Sequence, residues 1–345
     1  MLYVTTRDPK DAYTANRALS ENRCPEGGFF VPMRLPHYGE SEIAELAEKS
    51  FSQNVADILN LLFATQLDGW SVEFGIGRYP VKLVALNGRT VVAESWHNPM
   101  YRFERLVCGI EKAIRQSDQI SKSPSDWLLI ASRIAVLFGT VGLLLQDGTL
   151  EPGQKLDIAL PAGDFSAPMA AWYARAMGLP IGMIVCCCNE NTALWNLFHK
   201  GQLHTGAVAV CTHTPEFDYA VPDDLERLIF STLGRQETNR FCEACRFGRH
   251  YELESEQMKR LRDGIYISVV SDKRMASTIP NLYKTTGYVP SPETALAYSG
   301  LMDYRAATGE SRPALLLSEE SPMFSLQFAA ECMNITPAEL KQILD

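Results

Sequence analysis

From residue 127 onward the sequence alternates helical and strand patterns, and that order constrains the fold more than any other feature. An apolar helical pattern over 127–145 precedes a strand at 156–160, a helix at 167–177, a strand at 181–187 and a helix at 191–199. Gly178 stands where a helix C-terminal cap belongs, with Pro180 just beyond it. Strand, helix, strand in this order calls for crossover connections, so the strands pair in parallel and the class is α/β. Upstream, Val81–Leu86 and Thr90–Ala93 flank Asn87-Gly88, which predicts a tight hairpin. Phe103–Arg115 carries Leu106, Val107, Ile110, Ala113 and Ile114 at helical spacing. Residues 2–6 predict a short strand, 41–65 helices, and helices are expected near 223–233, 254–263 and 271–286. A buried strand at 314–317 and a closing helix at 337–344, capped by Thr336, complete the pattern.

A chain of 345 residues has room for two domains at roughly 100–200 residues each, or for one large α/β domain with an accessory layer. Its formal net charge of −9 argues against nucleic acid or an anionic membrane as partner, since both require clustered cations. The apolar run Ile130–Leu145 is interrupted by Ser132, Arg133 and Thr140 and is expected to fall short of a membrane span. No secretory pattern is read at the N-terminus, and the adjacent Cys186, Cys187 and Cys188 in an apolar run read as buried thiols. A cytoplasmic location is expected. Cys242-x-x-Cys245 has only His250 nearby as a further metal ligand, so no metal site is expected there, and a solvated basic segment with incidental thiols is the simpler account.

A collinear series of short motifs runs from Leu2-Tyr3-Val4-Thr5-Thr6-Arg7 through Pro25-Glu26-Gly27-Gly28-Phe29-Phe30-Val31-Pro32 and Leu160-Pro161-Ala162-Gly163-Asp164-Phe165. Tyr173-Ala174-Arg175-Ala176-Met177-Gly178-Leu179-Pro180-Ile181, Asn189-Glu190-Asn191, Thr214-Pro215-Glu216-Phe217-Asp218 and Ser291-Pro292-Glu293-Thr294-Ala295 continue it. Together they resemble the threonine synthase family, pyridoxal-phosphate (PLP) enzymes. The resemblance implies a tryptophan-synthase-β-like α/β fold (PLP fold type II), with a parallel sheet flanked by helices. It also places His97, Asn98, Pro99, Asn189 and Asn191 along a ligand cleft.

Four departures from the family pattern bear on function. The family's Schiff-base lysine lies in G-P-T-x-A-F-K-D, and the aligned residues Asn98–Arg105 put Glu104 in its place. A carboxylate has no amine to condense with an aldehyde. Lys112 lies two turns on, about 12 Å along a helix rising 1.5 Å per residue. The family's phosphate loop G-N-F-G becomes Gly163-Asp164-Phe165-Ser166. Asp164 would oppose a phosphate by roughly 4 kcal/mol for unit charges about 4 Å apart at an effective dielectric of 20. The same carboxylate is favoured at a helix N-terminus and is expected to fill the anion site from within. No S-G-D-T-G substrate loop occurs, so the small mobile domain is expected to be largely deleted, with Ser117–Ser125 as the join. Near the C-terminus, Glu319 takes the place of a threonine that the resemblance puts beside the cofactor ring.

The expected organisation is an N-terminal threonine-synthase-like domain over 1–95, a remnant and join over 96–125, and a large α/β domain over 126–345. The expected function is a pseudoenzyme without PLP, either a binding or regulatory homologue or a subunit that pairs with another protein or with itself. The alternatives are PLP-independent chemistry on a small amino-acid-like substrate, with Glu104 or Glu319 as acid or base, and residual phospho-lyase activity. Glu104 reads equally as a solvated first-turn helix residue. Glu319 and Glu320, with Glu104 and Asp164, read either as an acidic cluster for a cation or amine or as loop residues released from a ligand's constraint.

Overall fold

The computed structural model describes residues 1–7, 11–77, 81–96, 102–116 and 124–344. The first half runs β1 (Leu2–Thr5), β2 (Tyr13–Thr14), α1 (Ala15–Ser20), β3 (Phe30–Pro32), α2 (Glu40–Ala44), α3 (Phe51–Phe63), α4 (Gly69–Ile76), β4 (Lys82–Asn87), β5 (Thr90–Glu94), α5 (Phe103–Arg115) and α6 (Asp126–Gln146). Next come β6 (Leu156–Pro161), α7 (Ser166–Ala176), β7 (Ile181–Cys188), α8 (Ala193–Lys200), β8 (Gln202–His204), α9 (Leu225–Leu233), α10 (Arg235–Phe247), β9 (His250–Glu252) and α11 (Ser255–Leu261). The remainder is β10 (Ile265–Val269), α12 (Asp272–Thr286), α13 (Pro292–Thr308), β11 (Ala314–Ser318), α14 (Leu326–Met333) and α15 (Pro337–Leu344).

The principal sheet has six strands in the order β10-β7-β6-β11-β5-β4. All its pairings are parallel except β4 with β5, the hairpin expected at Asn87-Gly88. β11 lies between β6 and β5, so a single sheet joins the strands before residue 95 to those after 126. The parallel strands are continuous apolar runs because both faces are covered. Cys186 and Cys188 point into the layer that contains α6, while Cys187 points into the layer that contains α12 and α13. Burial raises all three thiols, Cys188 to about 12, which leaves them as inert core groups. On the α13 side, Gly300 permits close approach to β7: a Cβ there would come within 2.2 Å of the Cys187 sulfur.

α6 is longer and more apolar than the sequence reading allowed. Within its 21 residues an 18-residue window has a mean hydropathy of 2.2, enough by length and composition to cross a membrane, but 78% of that window is buried inside the protein. The helix forms the middle of the core, packed on α3 and α7. Trp127 anchors its first turn, fully buried, with its indole N–H donating to the Tyr3 hydroxyl at 3.0 Å and its ring edge-on to Tyr3 and Tyr173. Ser125 caps the helix and also donates to the Ala18 carbonyl, which ties the start of α6 to the N-terminal layer. Residues 116–125 separate α5 from α6, and 117–123 of that join lie outside the described residues.

Candidate functional site

In an open α/β sheet, ligands bind outside the carboxyl ends of the strands where the strand order reverses. Here that point is β11, inserted between β6 and β5. The expected site residues Asp164 and Ser166 follow β6, Glu319 and Glu320 follow β11, and Asn189 and Asn191 follow β7. His97, Asn98 and Pro99 lie outside the described residues.

At the centre of this edge lies Arg133, delivered by α6. Its Nε and Nη2 donate to the two Glu319 carboxylate oxygens at 2.7 Å each, and Nη1 donates to Ser166 Oγ at 3.0 Å. The Ser166 hydroxyl and backbone N–H donate in turn to Asp164 Oδ1 at 2.5 and 2.8 Å. The guanidinium carbon stands 5.1 Å from the Phe103 ring centroid. Burial opposes the Arg133 charge, yet the Glu319 pair and the fields of Asp164 and Glu104 outweigh it, so its pKa is raised. A bidentate pair in this setting is a strong charge-assisted contact.

The loop leading to α7 is shaped for closure. Phe165 is a fully buried, non-glycine residue with φ of +71°, and Gly163 has φ of +49° with the Phe217 ring packed where a Cβ would stand. Asp224 N–H donates to the Asp164 carbonyl at 2.9 Å. The Asp164 carboxylate caps the first turn of α7, where a bound anion would otherwise meet the helix dipole. Between Arg133, Glu319, Ser95 and Phe103 lies a cavity of about 20 Å³, lined otherwise mostly by apolar residues of β5, α6 and β11. That is roughly the space of one water. Small-molecule sites begin near 300 Å³, so the residues here do not fit a pyridoxal-phosphate group.

Glu104 occupies the first turn of α5 and is exposed, outside this cavity. Arg102, the residue before α5, pairs with Glu216 at 2.6 Å and with Glu320 at 2.7 Å, its guanidinium over the Phe324 ring. Glu319 and Glu320 are thus paired with Arg133 and Arg102, and no metal-binding cluster of His, Cys, Asp or Glu exists among the described residues. An open pocket of about 180 Å³ lies beside this pair, lined by Gly77, Ser95, Trp96, Arg102 and Arg105.

Glu293, at the start of α13, was noted in the sequence only as part of a motif, yet its carboxyl is strongly perturbed. Burial, reinforced by the Glu320 charge, raises its carboxyl to about 8, and burial also raises Glu320 to about 7 against the pull of Arg102. The folded Glu293 holds its proton more tightly than the unfolded chain, whose value is 4.5. Its contribution is therefore fully present below about pH 4.5 and is lost as pH rises through 8. Glu293→Gln is expected to flatten that decline, by on the order of 1 kcal/mol per pH unit, in urea unfolding followed from pH 5 to 8.

Asn189 and Asn191 are buried and committed to their own loop. Asn189 Nδ2 donates to Thr212, Thr214 and Asp218, and Asn191 receives the Val210 N–H at 2.7 Å while donating to the Val210 carbonyl at 2.9 Å. Only Asn191 borders an open pocket. Cys242 and Cys245 fall within α10 and, rather than being solvated, are half-buried against the core, and burial followed by Glu226 raises them to about 12 and 11. Neither is poised as a nucleophile.

The sheet, its helical layers and this carboxyl-edge site define an α/β protein of PLP fold type II. Solved structures of that class superpose over nearly the whole chain. The PLP-bound threonine synthase of Brucella melitensis is 15% identical with a TM-score of 0.83 over 99% of this chain and 94% of that one, and the yeast enzyme 16% identical with a TM-score of 0.82 over 99% and 93%. Residues 2–71 match the family described as threonine synthase N terminus. Human threonine synthase-like 1 is 27% identical over 158 residues, 45% of this chain and 21% of that protein. Threonine synthase of Pseudomonas aeruginosa is 25% identical over 205 residues, 57% and 41% of the two. The match thus spans well under half the length of these curated relatives. The chain is similar to threonine synthases in sequence over part of its length and in fold over nearly all of it.

Proposed function

We propose that this threonine synthase relative has lost PLP chemistry and acts as a non-catalytic binding or regulatory homologue, alone, as a homodimer or with a protein partner. The observation that carries this reading is the filled carboxyl edge: Arg133, Glu319, Ser166 and Asp164 satisfy one another, and the cavity beside Arg133 and Glu319 is only about 20 Å³. The position of Glu104, where the family resemblance expects the Schiff-base lysine, points the same way. The short connection between α5 and α6 supports deletion of the small domain, which in relatives is expected to carry substrate-binding loops. A reducing, cytoplasmic setting fits the free thiols of the core.

Elimination and threonine-forming assays with added PLP are expected to show no turnover above the protein-free control. PLP-dependent turnover would overturn the reading. A PLP-independent enzyme is favoured by one specific observation: Glu320, raised to about 7, pairs with Arg102 at the 180 Å³ pocket. Turnover abolished by Glu320→Gln, with the fold intact, would establish that second reading.

A further inference from the structure

We propose that the pocket at the carboxyl end of β7, one connection away from the filled edge, binds a small organic oxyanion that carries a short aliphatic tail. The pocket has a volume of about 370 Å³, within the range of small-molecule sites, roughly 300–1,000 Å³. One wall is the face of α8 that presents Asn196 and Lys200, residues about one turn apart on the same side of a helix. The opposite wall is the β8–β9 pair, whose register sets His204 directly across from His250 with ring centroids 4.5 Å apart. Lys200 lies over the Trp195 ring and has no carboxylate partner among the described residues. Glu190, the acidic residue at the rim, is engaged elsewhere, accepting the Asp272 N–H at the start of α12. An ammonium, two imidazoles and an amide therefore converge on one concavity in a chain of net charge −9.

The third wall is apolar and unusual. Val208 and Val210 are 90% and 52% exposed, and both border the pocket. Their loop is fixed at both ends, by the Thr205 hydroxyl, which lies within donating distance of the Ala244 and Arg249 carbonyls, and by the paired bonds between Asn191 and the Val210 backbone. An exposed valine on an anchored segment beside a concavity lined by one ammonium and two imidazoles supplies contact area for a tail whose charged head lies on Lys200 and the histidines. Asn191 borders the pocket and holds the Val210 wall in place through its paired backbone bonds. This assignment is separate from the loss of PLP chemistry and stands whether or not that reading holds.

The test is calorimetric titration of the full chain with butyrate, monobutyl phosphate and inorganic phosphate. Saturable binding of at least one butyl compound is expected, at least tenfold tighter for monobutyl phosphate than for phosphate alone, because each buried methylene favours association. Comparison of the two butyl compounds separates a carboxylate from a phosphate head. Lys200→Met is expected to weaken the binding about tenfold, as is the double variant His204→Asn/His250→Asn. Both alter exposed side chains, and unchanged thermal unfolding serves as the control for folding. No saturable binding, phosphate as tight as monobutyl phosphate, or binding unchanged in both variants would overturn the assignment.

Discussion

Replacing Arg133 with methionine is expected to destabilise the protein by about 3 kcal/mol, the lower end of the range for breaking a buried ion pair. The loss is not the value of one contact. It arises because Glu319 and the Asp164–Ser166 pair are left facing an apolar side chain at a position where Arg133 itself is only 11% exposed. The 28% exposure of the Glu319 side chain moderates the cost by admitting some water. The double variant Arg133→Met/Glu319→Leu is expected to recover most of that loss, since apolar groups of similar volume replace a buried pair at little cost. Arg133→Lys is expected to lie between them, because an ammonium cannot reproduce the two-pronged bond to Glu319 together with the bond to Ser166. Urea unfolding of the four proteins, with the Glu319→Leu single variant completing the cycle, gives the coupling directly. A single variant within about 0.5 kcal/mol of the parent would mean that the pair does not hold the site shut.

The second large effect concerns the residue at the family's lysine position. Glu104→Lys restores an amine there, and a reading based on that one residue predicts a gain of PLP binding. The structure predicts none. Glu104 lies on the exposed side of the first turn of α5, while the cavity behind Phe103 is filled by the Arg133–Glu319 pair and Asp164 occupies the α7 N-terminus. The substitution also moves a cation to a helix N-terminus, at a cost of roughly 0.3–1 kcal/mol. The variant is expected to fold, slightly less stable than the parent, and to give no yellow Schiff-base absorbance with excess PLP. A stoichiometric band would show that the lysine alone had been limiting.

Much of the framework is legible in the sequence because it rests on local chemistry. Asn87-Gly88 names its own hairpin, and the β6–α7–β7–α8 run shows its parallel wiring through strand-length apolar runs and capping residues. α5 agrees to the residue, its apolar positions lying on one face. Other elements give no such signal. α13 is buried on nearly every side, so it has no polar stripe to set a helical period, and β10 is a five-residue apolar run whose type periodicity cannot decide. α10 is too polar to show a helical period, so no element is expected there, and its thiols, expected to be solvated, lie half-buried against the core.

At the site, Asp164 as an internal cap was foreseeable, since carboxylates favour helix N-termini. Arg133 was visible only as an interruption in an apolar run. Its meeting with Glu319, 186 residues away, depends on β11 returning to the middle of the sheet, which no local pattern encodes. Glu293 was hidden for the same reason, its perturbation arising from long-range burial rather than from its neighbours in sequence.

The central claim is that the carboxyl edge is closed to PLP, and trapping tests it most directly. The protein is incubated with excess PLP, reduced with borohydride, and the intact chain and its peptides are weighed by mass spectrometry. The filled cavity predicts no stoichiometric adduct, only trace modification scattered over exposed lysines. One stoichiometric adduct on a single lysine, with the corresponding absorbance before reduction, would contradict it.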